Sequence, residues 1–211
     1  MKAVIFDLDG VICFTDKYHY QAWKKLADRL GIFFNEQINN RLRGVSRMES
    51  LDIILERAER AYTPEEKEAF AAEKNASYVE LLQQMSPADL SDEVLQTLLA
   101  LRSGGYKLAI GSSSKNTKLI LSRIGLGDFF DAISDGTNIS RSKPDPEVFL
   151  KAAEMIGEAP ADCLVVEDAK AGIQAASAGG FPSAGIGEAA EHPAVTYPIQ
   201  HFSDLKDILL G

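Results

Sequence analysis

Two aspartates one residue apart, Asp7 and Asp9, follow an apolar run, Ala3-Val4-Ile5-Phe6, and precede Gly10. A short unbroken apolar run is the pattern of a strand buried on both faces. In an open parallel sheet, ligands bind beyond the carboxyl ends of the strands, so both carboxylates stand where chemistry sits. Strand alternation sends their side chains to one side with Leu8 opposite. Carboxylates that close repel unless a cation or a shared proton relieves them. Gly10 lets the chain turn sharply and bring backbone near a ligand. A carboxylate at Asp7 can take a phosphoryl group as a covalent nucleophile. A second at Asp9 can protonate the leaving oxygen or deprotonate the incoming one. Further along stand Ser112-Ser113-Ser114-Lys115-Asn116, then Lys143 before Pro144-Asp145-Pro146, then Glu167-Asp168. Oxygen ligands without His or Cys suit Mg²⁺. A hydroxyl and a lysine beside them suit the equatorial oxygens of a transferring phosphoryl group.

These groups need a scaffold that collects strand ends on one rim, and the pattern supplies one. Strands are expected at Tyr106–Ile110, Phe130–Ser134, Cys163–Val166 and Pro182–Gly187, with Ile199–Phe202 as a last strand. Helices are expected at Glu93–Arg102, Thr117–Ile124, 147–156, Ala169–Ala178 and Ser203–Leu210. Alternation of strand and helix argues a Rossmann-like parallel α/β sheet. Residues 16–85 carry helical patterns instead. An amphipathic stripe at 16–30 ends at Gly31. Asn35–Leu42 reads as a short helix. Ser46-Arg47-Met48-Glu49 is a capping box whose helix is expected to reach about Arg60, and Thr63-Pro64 opens a helix ending near Met85. The expected organisation is therefore a core of residues 1–14 and 86–211, with residues 15–85 inserted after the first strand as a helical cap domain.

Composition narrows the partners. The chain has 211 residues, 45% of them hydrophobic, and a net charge of −9. That charge disfavours nucleic acid and anionic membranes as partners, though not an anionic small molecule in a cleft holding a metal ion. Cys13 and Cys163 show neither a disulfide framework nor a zinc pattern and read as small buried apolar residues. Nothing resembles a signal peptide or a transmembrane run. The expectation is a cytoplasmic monomer.

Asp7-Leu8-Asp9-Gly10-Val11, Gly111-Ser112-Ser113, Lys143-Pro144-Asp145-Pro146 and Glu167-Asp168 together resemble the four motifs of the haloacid dehalogenase-like phosphotransferase superfamily. KAVIFDLDGVI, YHYQAW, RGVSR, KNASYV, MSPADL, SSSKN, SKPDP and EDAKAGIQA extend the resemblance over nearly the whole chain, to a family within it that acts on hexose phosphates. The superfamily implies a Rossmann-like core with a cap, Mg²⁺ and an aspartyl-phosphate intermediate. The closer likeness implies interconversion of β-glucose 1-phosphate and glucose 6-phosphate, with glucose 1,6-bisphosphate as intermediate and activator. On matching residues it implies Asp7 as nucleophile and Asp9 as acid/base. Asp7, the Asp9 carbonyl and Asp168 would hold Mg²⁺, with Glu167 at or next to the metal. Ser112 and Lys143 would contact the transferring phosphoryl group. Thr15 would lie at a hinge and His19 near the sugar. Gly44, Val45, Ser46 and Arg47 would close over the substrate, Arg47 on the non-transferring phosphate. Trp23, Ser50, Lys74, Ser114, Lys115 and Asn116 would line the rest.

Plainer readings stand beside these. Asp168 could cap helix 169–178, Ser112–Ser114 could be a turn, and Lys143 a solvated loop lysine. His19 could be a surface histidine, Lys74 a solvated lysine on a charged helix, and Trp23 cap core. His192 and His201 read as surface residues. Arg47 in a first helical turn is poorly placed for the helix dipole, which supports an anion-binding role. A phosphosugar phosphatase of the same fold is the alternative function. A receiver-type regulatory domain is a more distant one, because it needs neither the insert nor Asp9.

Overall fold

A computed structural model describes residues 1–42 and 45–211. In chain order its elements begin with β1 (Ala3–Phe6), α1 (Asp16–Leu30), α2 (Glu36–Asn40), α3 (Arg47–Leu55) and α4 (Pro64–Leu82). They continue with α5 (Asp92–Ser103), β2 (Lys107–Gly111), α6 (Thr117–Arg123), β3 (Ala132–Ser134) and α7 (Glu147–Ile156). The last are β4 (Cys163–Glu167), α8 (Lys170–Ala178), β5 (Ser183–Gly185), β6 (Tyr197–Pro198) and α9 (Leu205–Leu210). The chain divides into two units: Met1–Phe14 with Ser86–Gly211, and Thr15–Met85.

The first unit is a six-stranded sheet of order β3-β2-β1-β4-β5-β6, parallel throughout. β1 lies between β2 and β4, which explains its unbroken apolar run: both faces are covered and all four residues are buried. On one face Ala3, Ile5, Ala109 and Val165 pack with Val148, Phe149 and Ala152 of α7 and with Ala175 and Ala176 of α8. Each large apolar side chain there contributes roughly 1.5–3 kcal/mol by leaving water. Elsewhere in the sheet core Phe6 meets Phe130 at 6.2 Å and Phe202 at 5.7 Å between ring centroids. The registers Phe6↔Ile110 and Phe6↔Val166 bring the carboxyl ends of the three central strands to one rim.

Among the described residues, the regular elements of the second unit are all helices. Trp23, Leu26 and Ala27 of α1 pack with Ile38, Leu51, Ile54 and Ala71. Its helix boundaries are set locally. Gly31, at φ 71°, ends α1 in the left-handed conformation. Ser46 and Thr63 open α3 and α4 with complete capping boxes.

Several boundaries differ from the sequence reading. α3 stops at Leu55 rather than reaching Arg60. Glu56 is forked onto Arg41, and Arg60 turns away to fork onto Glu66 ahead of the α4 core. The last strand is Tyr197–Pro198, not Ile199–Phe202, because the register with β5 pairs Ala184 with Tyr197 and Gly185 with Pro198. Phe202 instead opens a 3-10 turn and packs on Phe6. β5 is shorter than Pro182–Gly187, since Gly187 takes φ 60° and starts another 3-10 turn.

Candidate active site

β1 ends at Phe6, and the next residue begins the site. The Asp7 N–H donates to the Val166 carbonyl at 2.9 Å, tying the loop to β4. The chain then turns tightly. The Ile12 N–H reaches the Leu8 carbonyl at 3.0 Å, and the Gly10 N–H reaches that of Cys13 at 2.8 Å. Asp9 is therefore placed by this turn, not by strand alternation as the sequence reading had it. Asp7 is buried and Asp9 half-buried. Gly10, at φ 88°, is needed twice over: a Cβ there would lie 2.1 Å from Asp168 Oδ2. Likewise a Cβ at Gly172 would lie 1.9 Å from the Glu167 carboxyl carbon. Small residues from two elements thus leave room for two carboxylates.

Lys143 lies at the centre of this arrangement and is only 5% exposed. Its ammonium donates both to Asp7 Oδ1 and to Glu167 Oε1, and it sits 4.7 Å from the centre of the Phe149 ring. The reading of a solvated loop lysine is excluded. The other Glu167 oxygen accepts from the Ala169 N–H at 3.0 Å. That contact also corrects the capping reading of Asp168: residue 169 is the N-cap of α8, with no side-chain cap. Oxygens of Asp7, Glu167 and Asp168 all lie within 4.8 Å of one another. Ser112, 2% exposed, extends past β2 by donating its N–H to the Ser134 carbonyl. Its Oγ accepts from the Ser114 N–H at 3.2 Å, leaving the hydroxyl proton to donate elsewhere. Ser114 Oγ in turn accepts from the Asn116 N–H at 3.2 Å, so the serine turn is also a built loop. Lys115 is exposed on it.

In the helical unit a second cluster forms. Lys74 is 3% exposed, not solvated. Its Nζ is 2.9 Å from His19 Nδ1, 4.7 Å from the centre of the Trp23 ring and 4.4 Å from that of Tyr78. An ammonium only donates, so Nδ1 accepts and the neutral ring carries its proton on Nε2. Burial first, then the charges of Lys74 and Arg47, hold the His19 pKa well below the usual histidine range. The His19 and Tyr78 rings lie 4.1 Å apart between centroids. Trp23, 2% exposed, belongs to the apolar cluster while also facing Lys74. An Arg47 Nη donates to Asn75 Oδ1 at 2.8 Å. Asn75 was not singled out from the sequence; its only signal was its place beside Lys74 in the KNASYV stretch. Ser46 caps α3, Ser50 is buried on it, Val45 is half-buried just before it, and Thr15 is buried at the start of α1. Gly44 lies outside the described residues.

The electrostatics of the carboxylate centre are unbalanced without a further cation. For Lys143, burial opposes the charge, but Asp7 and Glu167 outweigh it and raise its pKa, so it stays an ammonium. Glu167 is pushed up by burial, partly offset by Lys143. Asp168 is pushed up to about 8 by burial, then by Asp7 and Glu167. Three oxygen donors held close, with one lysine for all of them, fit a hard divalent cation. The pH dependence follows. Unfolded Asp168 ionises near 3.8, whereas the folded group keeps its proton to about 8, so the folded state binds more protons in between. Stability is present below that window and falls as pH rises through it. We expect the chelated protein to melt lower at pH 8 than at pH 6, and Mg²⁺ to raise the melting temperature more at pH 8. An equal gain at both pH values would count against these carboxylates as the metal site.

A family profile described as haloacid dehalogenase-like hydrolase matches residues 1–180. The chain belongs to the haloacid dehalogenase-like hydrolase family. It is 42% identical over 212 residues to a β-phosphoglucomutase of Bacillus subtilis, spanning 100% of this chain and 94% of that one. A phosphorylated carbohydrates phosphatase of Thermotoga maritima is 32% identical over 184 residues, 86% of this chain and 82% of its own. The crystal structure of a β-phosphoglucomutase from Clostridium difficile matches with a TM-score of 0.92 at 37% identity, covering 100% of this chain and 95% of that one.

Proposed function

We propose that this protein interconverts β-glucose 1-phosphate and glucose 6-phosphate through a phosphorylated Asp7 and glucose 1,6-bisphosphate. The observation that carries the reading is a second cluster of cations, Arg47 and Lys74 with neutral His19, in a chain that already has the Asp7–Lys143 centre. A phosphatase needs to hold one phosphate. A mutase working through a bisphosphate must hold two, and Arg47 and Lys74 supply charge for the second. The full-length likeness to a β-phosphoglucomutase supports the same conclusion.

The chain's own groups suit the steps. Lys143 occupies Asp7 Oδ1, which leaves Oδ2 to attack phosphorus. Asp9 protonates the departing sugar oxygen and, in the second half-reaction, takes the proton from the incoming hydroxyl. Lys143 and the Ser112 hydroxyl donate to the transferring phosphoryl oxygens. Asp7, Asp168 and the Asp9 carbonyl, with Glu167 beside them, would hold Mg²⁺, which neutralises the carboxylates and the phosphoryl charge when bound. Thr15 serves as the hinge before the insert, which acts as the cap domain of a core formed by residues 1–14 and 86–211. Val45, Ser46 and Ser50 supply further substrate contacts beside Arg47. Ser114, Lys115 and Asn116 complete phosphate binding, and Trp23 backs Lys74. The partner is a small phosphosugar. Among the described residues no helix is long and apolar enough to cross a membrane.

The test follows glucose 6-phosphate and free phosphate together, with β-glucose 1-phosphate, Mg²⁺ and a trace of glucose 1,6-bisphosphate. Glucose 6-phosphate rising with almost no free phosphate is the expected result. Free phosphate as the main product would overturn the mutase in favour of the phosphatase of which the Thermotoga relative is an example.

A further inference from the structure

Arg47 is held differently from three other arginines of its unit. Arg29, Arg41 and Arg60 are each forked onto a glutamate, Glu73, Glu56 and Glu66 respectively. Those guanidinium charges are neutralised where they stand. Among the described residues, Arg47 makes one hydrogen bond, to the Asn75 carboxamide at 2.8 Å, and no ion pair with a carboxylate. It is half-buried at the first position of α3, where the helix dipole also disfavours a cation. Lys74, the residue before Asn75 on α4, contacts neutral His19 and the rings of Trp23 and Tyr78. The Arg47 guanidinium is thus held by a neutral carboxamide, next in sequence to the Lys74 ammonium.

An asparagine and an aspartate have almost the same shape. The carboxylate would make the stronger contact with a guanidinium, because a charge-assisted hydrogen bond exceeds a neutral one. It would also cancel the charge. The carboxamide orients the guanidinium through one N–H and leaves the charge and the remaining donors for an anion.

We infer that Asn75 is a positioning residue that presents Arg47, un-neutralised, to the non-transferring phosphate of the substrate. The inference rests on the mutase reading above. It makes the choice of amide over acid at residue 75 a determinant of affinity for phosphorylated sugars.

The test compares Asn75→Asp with Asn75→Ala in the full enzyme, by mutase kinetics and thermal melting. The Asp variant strengthens the contact and the Ala variant deletes it. A merely structural asparagine predicts that the Ala variant is the worse of the two in every readout. Presentation of charge predicts the opposite order for substrate. The Asp variant should raise KM for β-glucose 1-phosphate about tenfold or more, with an unchanged or higher melting temperature, and the Ala variant only about threefold. The loss in kcat/KM should fall mainly on KM. In an Arg47→Ala background the Asp substitution should change KM by less than about twofold, since its effect passes through Arg47. A KM in the Asp variant equal to wild type, or exceeded by that of the Ala variant, would overturn the inference while leaving the mutase intact. Wild-type enzyme inert toward β-glucose 1-phosphate would remove both.

Discussion

Asp7→Asn abolishes mutase turnover, by on the order of 10⁴-fold or more, and no phosphorylated protein forms on exposure to glucose 1,6-bisphosphate. The carboxamide keeps the shape of the side chain but is not a nucleophile, so the covalent route closes completely. The fold should survive. Lys143 keeps its second partner, Glu167, and the crowded cluster loses one negative charge. Fewer charges press on Asp168, whose carboxyl is raised by burial and then by Asp7 and Glu167, so its pKa should fall. The chelated variant should therefore lose less stability between pH 6 and pH 8 than wild type does. Intact mass after incubation with the bisphosphate, together with melting curves at the two pH values, checks both halves. A mass increase by one phosphoryl group in the Asp7→Asn protein would place the acceptor elsewhere and sink the assignment.

Lys143→Met should harm both stability and activity, and for one physical reason. The ammonium is shared by Asp7 and Glu167, both buried. Methionine fills the volume but leaves two neighbouring carboxylates without their cation. Removing one member of a buried ionic group costs about 3–5 kcal/mol, because the remaining charges stay buried and uncompensated. The chelated variant should be destabilised by about that much near neutral pH, measured by denaturant titration. Protonation of the carboxylates relieves the repulsion, so the deficit should shrink as pH falls. Turnover with saturating Mg²⁺ should drop by about 10²- to 10³-fold, from the lost donor to the phosphoryl oxygens. Adding Asp7→Asn to Lys143→Met should recover part of the stability and none of the activity. A double variant no more stable than Lys143→Met alone would show that charge repulsion is not the source of the loss.

The local parts of this protein were legible in its residues because local rules set them. A short unbroken apolar run is the pattern of a strand covered on both faces, and β1 lies inside the sheet between β2 and β4. Ser46 with Glu49 and Thr63 with Glu66 marked two helix starts, since a capping box is closed within four residues. The termination of α3 at Leu55 was not legible, because it depends on Arg41 and Glu66, which lie outside that helix. The position of β6 was not legible either, because two residues of ladder are set by register with β5 rather than by their own pattern.

Chemistry divides in the same way. The residue types and their order along the chain, Asp7 and Asp9, Ser112, Lys143, then Glu167 and Asp168, determined that carboxylates, a hydroxyl and a lysine would meet at strand ends. Only the tertiary structure decided which of them pair. Lys143 joins Asp7, 136 residues away, to Glu167, 24 residues away, and that geometry depends on the β1–β4 register. Lys74 sat on a helix whose neighbours in sequence are charged, so its local pattern read as solvated; α1 brings His19 and Trp23 onto it and buries it. Asn75 carried no signal of its own, because its meaning lies in Arg47, 28 residues earlier, which has it for a partner in place of a carboxylate. Sequence patterns report what a residue does within a turn of helix or a step of strand. Which charge is left uncompensated is a property of side chains that meet only when the chain has folded.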